Sequence, residues 1–264
     1  MNYRFAFTVV LFLAVTISLA LITSRTKSQN KPADFSLNDS ERDLLSEINE
    51  ARAHPQVYAS YLEKLKPLFK GKEYTATGHA PLTTQEGWSA VEDAINFLKA
   101  TKPLPPLVAS RGLSQAALTH VKDQNNTGAS GHKGTGQTMI EERVKPFGIW
   151  EGAIGENISY GNDSARERLL TWLIDDGVST RGHRRRLMSS DYQVAGISCG
   201  THPEWKAMCV LTLAGRFIDS NSTTPATPAV KSAPTSSPTE SGNTNTKPTS
   251  TSKSQTSKAK SRKL

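Results

Sequence analysis

Apolar residues recur at helical spacing through the first half of the chain. Over 37–68, Leu44, Leu45, Ile48, Ala51 and Arg52 keep to one face, and Val57, Tyr58, Tyr61, Leu62 and Leu65 resume the pattern beyond Pro55. Proline removes a helix donor and crowds the preceding turn, so a break or kink is expected there. Asn38, Asp39 and Ser40 offer N-caps, with acids in the first turn. Residues 84–100 repeat the period through Trp88, Val91, Ile95 and Leu98, and Pro103, Pro105 and Pro106 stop it. The intervening 71–81 reads as a loop. A third helix is expected over 110–125, where Leu113, Ala116, Ala117, His120 and Val121 share a face. His120 reads there as a core or edge histidine rather than a ligand. The glycine-rich NNTGASGHKGTGQT that follows reads as a loop. Short helices are expected over 139–147 and 166–174, the second ended by Asp175-Asp176-Gly177, with a final helical turn at 182–188. The period changes to strand-like at 154–160, and again at 194–199 and 208–217, a pair rich in β-branched residues that reads as a hairpin.

The two ends break this pattern. Arg4 precedes a weakly polar to apolar run over 5–22, so 1–24 reads as a signal peptide or signal anchor, with small residues at Ser18 and Ala20 for a signal peptidase. A polar linker, 25–37, leads to a folded region over 38–218. From Asp219 to Leu264, Ser, Thr, Pro, Asn and Lys dominate and cannot bury a core, so this tail is expected to be disordered. The net charge of +8 sits at the ends: +4 over 1–31 and +5 from 219 onward, which leaves −1 for the middle. A nearly neutral folded region, with no aromatic platform among its arginines, argues against a nucleic-acid partner. The basic tail suits attachment to a cell surface or wall instead.

Candidate chemistry concentrates in 155–186. This stretch opens on Gly155-Glu156-Asn157, runs past Trp172 to Asp175 and Asp176, and closes on Gly182-His183. His132 lies upstream in SGHKGTG. We expect His132, Glu156, Asp175 and His183 to meet in one cleft. Two imidazoles and two carboxylates can hold a divalent metal, run acid–base chemistry or form a polar cleft, and the spacing alone selects none of these. HExxH, CxxC and GxSxG are absent. Asp175, Ser179 and His183 would stack on a helix, but Gly177 and Gly182 argue against a continuous helix and so against a serine triad. Cys199 and Cys209 flank a turn between two apolar runs. Across a hairpin in an exported protein, a disulfide is favoured over two buried thiols.

GHKGTG, GENISYG, TWLIDDGVSTRGHRRRLM and VAGISCGTHPEWKAMCVLTLAG, in that order, resemble the CAP superfamily of cysteine-rich secretory, antigen 5 and pathogenesis-related proteins, in its prokaryotic-type branch. The resemblance implies an α+β fold, a three-layer α-β-α sandwich with a central antiparallel sheet. It also implies a His, Glu, Glu, His cleft. Residue by residue these are His132, Glu156, Asp175 and His183, with Asp175 one methylene shorter than the family's acid and Asp176 beside it able to substitute. His132, His183 and Glu156 are then candidate ligands for Zn2+ or another divalent metal. A lipid, sterol or small molecule is the implied partner. Without a nucleophile, the expected function is a secreted, non-enzymatic binding module. The alternative is a metal-assisted extracellular hydrolase with Glu156 as general base.

Overall fold

The computed structural model describes residues 35–76 and 80–220; the expected signal or anchor segment 1–24, most of the expected linker and the tail from 221 onward lie outside them. The first helix, α1 (Asp39–Ala53), begins where the N-cap signals place it. Asn38 Oδ1 accepts from the Glu41 amide at 3.0 Å, and Glu41 Oε2 accepts from the Asn38 amide at 3.0 Å, a reciprocal cap. Pro55 ends that helix as expected and becomes the first residue of α2 (Pro55–Glu63). The expected 71–81 loop instead contributes to a small antiparallel sheet, β1 (Phe69–Lys70), β2 (Glu73–Tyr74) and β3 (Leu82–Thr83). Next, α3 (Trp88–Ala100) starts four residues later than its pattern suggests. Thr84 to Gly87 form a turn there, with the Gln85 and Glu86 amides donating to the Asp176 carboxylate at 2.6 and 2.8 Å.

The main sheet has the order β4 (Val108–Ala109), β6 (Val194–His202), β7 (Lys206–Asp219), β5 (Gly148–Tyr160). Its three long strands are antiparallel, and the two-residue β4 runs parallel to β6 at one edge. On one face lie α4 (Arg111–Thr127) and α5 (Ile140–Val144), which bury Leu113, Val144 and Ala214. The other face carries α1, α2, α3, α6 (Ala165–Ile174) and α7 (Gly182–Leu187), packed around Leu44, Ile48, Trp172, Leu187 and Leu211. The result is a three-layer α-β-α sandwich. Helix α4 outruns its expected end by two residues. It also passes so close to β6 that a Cβ on Gly196 would lie 2.1 Å from the Leu113 carbonyl carbon, so only glycine fits there. The expected tail start, Asp219, is still strand: it pairs with Gly148, and its carboxylate accepts from the Gly112 amide.

The hairpin places Cys199 directly opposite Cys209, and the two form a disulfide. It closes a loop of sequence separation 10. Replacing both cysteines by alanine lowers the unfolding free energy by roughly 2–3 kcal/mol on the chain-entropy account. Urea denaturation measures this, and a loss below about 0.5 kcal/mol would place the hairpin's stability elsewhere.

Candidate functional site

Consecutive strand residues point to opposite faces of a sheet. On the edge strand β5 this separates Glu156, aimed at the α4/α5 layer, from Asn157, aimed at the α6/α7 layer. Each neighbour holds one histidine-bearing element. Glu156 Oε1 accepts from His132 Nδ1 at 2.9 Å, while Asn157 Nδ2 donates to the His183 carbonyl at 3.2 Å. The rings of His132 and His183 thus meet around the free edge of β5, with centroids 6.5 Å apart and planes inclined by 29°.

His132 lies in the loop after α4, and that loop is held by its backbone. The Gly131 amide donates to the Tyr160 hydroxyl at 2.7 Å, and Gln124 Nε2 donates to the Gly131 carbonyl at 2.6 Å. His120 is fully buried, as a core histidine should be, and its Nε2 also bonds that carbonyl at 2.9 Å. Burial pushes its pKa below the ordinary value. Arg143, on α5, completes the clamp. Its Nη1 donates to the carbonyls of His132 and Thr138, each at 3.0 Å, and its Nη2 pairs with Glu156 Oε2 at 2.6 Å. Burial alone would raise the Glu156 pKa, but the His132 hydrogen bond and the Arg143 charge outweigh it and hold the carboxyl below its usual value.

His183 is the second residue of α7 and is oriented by Asp175. That residue caps α6 in a left-handed conformation, φ 56°, with its amide bonded to the Thr171 carbonyl. Its Oδ1 accepts from His183 Nδ1 at 2.6 Å, and its Oδ2 from the His183 amide at 2.8 Å. Arg181, the second left-handed corner of this loop, φ 51°, is fixed by both oxygens of Glu86, each at 2.6 Å, and by Asp93 at 3.0 Å. The Arg181 hydrogen bonds pull the Glu86 pKa to about 2 against a smaller opposing effect of burial. Trp172 secures α6 beneath the site through Nε1 to the Ile158 carbonyl, 3.1 Å.

All four expected residues gather at this edge as two imidazole–carboxylate pairs. Asp176 does not take part: its carboxylate faces away and seats the turn before α3. The sequence reading missed Arg143. Its signal was the position three residues after Ile140, on the buried side of a short amphipathic helix.

An ionised carboxylate can only accept, so each imidazole donates from Nδ1, and its neutral form presents a bare Nε2. The side chains of His132 and His183 are 44% and 22% exposed, against 3% for Glu156 and 1% for Asp175. The pair can therefore accept hydrogen bonds or donate lone pairs from Nε2. The carboxylate oxygens are already engaged. Among the described residues no group of three or more His, Cys, Asp or Glu side chains stands in metal-binding geometry. The donor set supplies two imidazoles and does not complete a closed four-ligand zinc site.

The family model for the CAP cysteine-rich secretory protein family matches residues 45–213. No curated protein matches the chain. Among solved structures, an extracellular protein containing an SCP domain from Bacillus anthracis is 21% identical with a TM-score of 0.33, covering 42% of this chain and 34% of that one. An outer surface protein from Borrelia burgdorferi is 15% identical with a TM-score of 0.35, covering 42% of this chain and 78% of that one. The chain thus spans about a third of the length of the Bacillus protein. With the family model covering well over half of its length, the chain belongs to the CAP cysteine-rich secretory protein family.

Proposed function

We propose that this protein is an extracellular, non-enzymatic binding module whose ligand is gripped between His132 and His183. One observation carries the reading: both carboxylates of the cleft are buried and engaged by His132, Arg143 and His183, which leaves the two imidazoles as the exposed groups of the tetrad. The hydrolase alternative assigns Glu156 as general base, but its Oε1 and Oε2 already accept from His132 and Arg143. With its side chain only 3% exposed, a base so engaged is poorly open to a water. Export is supported by the apolar stretch at 5–22, the Cys199–Cys209 bond and the secretory character of the family. Among the described residues no helix is long and apolar enough to cross a membrane. The ligand suited to two imidazoles is a small polar or amphipathic molecule that hydrogen-bonds to both, and a divalent ion would have to bring its remaining ligands with it.

Native mass spectrometry of the full chain, compared with His132→Ala/His183→Ala, tests this. The expected result is a bound small-molecule or lipid mass on the unaltered protein that is lost from the variant. Hydrolysis of a casein substrate that disappears in His132→Ala would replace the binding reading with the hydrolase.

A further inference from the structure

Arg186 lies three residues beyond His183 on α7 and has no role in the pairs described above. Its side chain is laid across two glycines. A Cβ on Gly155 would stand 2.8 Å from Arg186 Cδ and 3.1 Å from its Nε, and a Cβ on Gly182 would stand 3.3 Å from its Nη1. Both glycines adjoin the site: Gly155 precedes Glu156 and Gly182 precedes His183. The Tyr192 hydroxyl converges on the same point of β5, 2.8 Å from the Gly155 Cβ position. Its own contact, with the Ile154 carbonyl, is a long 3.5 Å.

Arg185, next to it, is exposed to solvent, whereas the other withdrawn arginines of this region are paired. Arg143 has Glu156, Arg181 has Glu86 and Asp93, and Arg184 has Asp93. Among the described residues Arg186 makes no side-chain hydrogen bond or ion pair, although it is only half-exposed. The cleft carboxylates do not pair with it: the oxygens of Glu156 and Asp175 are taken by His132, Arg143 and His183. A guanidinium partly withdrawn from water without a counter-charge is unfavourable, and its planar fork matches an oxyanion in bidentate fashion.

We propose that Arg186, assisted by the Tyr192 hydroxyl, is the oxyanion-binding arm of this cleft. It takes the carboxylate or phosphate of a ligand whose neutral, hydrogen-bond-donating part lies between His132 and His183. This rests on the binding reading above and adds a chemical class to it, an anionic amphiphile or small acid. A bare divalent cation fits poorly next to an unpaired guanidinium.

The test titrates the full chain with inorganic phosphate, with succinate, and with phosphatidylglycerol vesicles against phosphatidylcholine vesicles. Calorimetry reads the soluble acids and co-sedimentation reads the vesicles. At least one anionic probe binds the unaltered protein. Arg186→Gln weakens that binding roughly tenfold or more and Arg186→Lys does so less, because an ammonium keeps the charge and loses the fork. Binding of the soluble acids assigns a small acid; binding of anionic vesicles alone assigns a lipid headgroup. Equal binding by Arg186→Gln, or no binding of any anionic probe, overturns the proposal. If His132→Ala/His183→Ala still loses its native bound mass in that event, the cleft reading stands without Arg186. If oxyanion binding depends on Arg186 but not on the histidines, the arm stands and the cleft reading falls. Equal thermal unfolding of the Arg186 variants and the unaltered protein excludes misfolding as the cause.

Discussion

Arg52→Met removes about 4 kcal/mol or more from the unfolding free energy, a large share of what a domain of this kind possesses. Arg52 is 1% exposed, and its fork ties α1 to the chain before β4 and to the chain after α7. Nε reaches the Pro105 carbonyl at 2.9 Å; Nη1 reaches those of Leu187 and Ser189 at 2.7 and 3.0 Å; Nη2 reaches that of Tyr192 at 3.1 Å. Methionine fills most of the volume and donates nothing. Each orphaned buried carbonyl then costs about 1–3 kcal/mol. Three of the four carbonyls belong to the end of α7 and the chain just after it, so the variant also loosens the platform beneath His183. Arg52→Lys recovers only part of the loss, because one ammonium cannot address four acceptors spread across a plane. Urea denaturation gives the numbers; a penalty near 1 kcal/mol for Arg52→Met would mean that water replaces the guanidinium at no great cost.

Arg143→Met is expected to cost about 3–5 kcal/mol, the penalty for stranding a buried charge by removing its partner. Glu156 loses its counter-ion, and the carbonyls of His132 and Thr138 lose their donor. Glu156→Gln in the same background restores part of the stability, since a neutral amide no longer needs a cation, so the double variant loses less than the two singles added together. The same cycle reads on the site. With the amide of Glu156→Gln as its partner, His132 can hold its proton on either ring nitrogen, and nitrogen NMR of the imidazole should show the Nε2–H tautomer gaining population. Additive penalties with an unchanged tautomer would show that Arg143 and Glu156 act independently.

Much of this arrangement was legible in the sequence because local signals carried it. The Asn38 cap, the Pro55 break, the β-branched hairpin and the glycine-flanked Glu156 and His183 all depend on neighbours within a few residues. Arg143 and Arg52 were harder to read. A buried arginine differs from an exposed one only in the carbonyls and carboxylates that fold back onto it, and those of Arg52 lie up to 140 residues away. Arg52 did fall on the apolar stripe of its helix, and Arg143 on that of α5, which was the one signal available. Choosing between Asp175 and Asp176 had no local signal. They are adjacent, and only the left-handed turn at Asp175 sends one carboxylate to His183 and the other to the amides before α3. The strands at 69–74 were missed because two-residue pairings carry no period.

The two imidazoles stand on different layers, one ahead of α5 and one on α7, with only the rim of β5 between them. Their 6.5 Å gap is therefore a gauge of how the outer layers slide over the sheet. Repacking beneath either helix, at Val144 or Leu187, would reset the spacing of the two rings while leaving both histidines and their carboxylates unchanged.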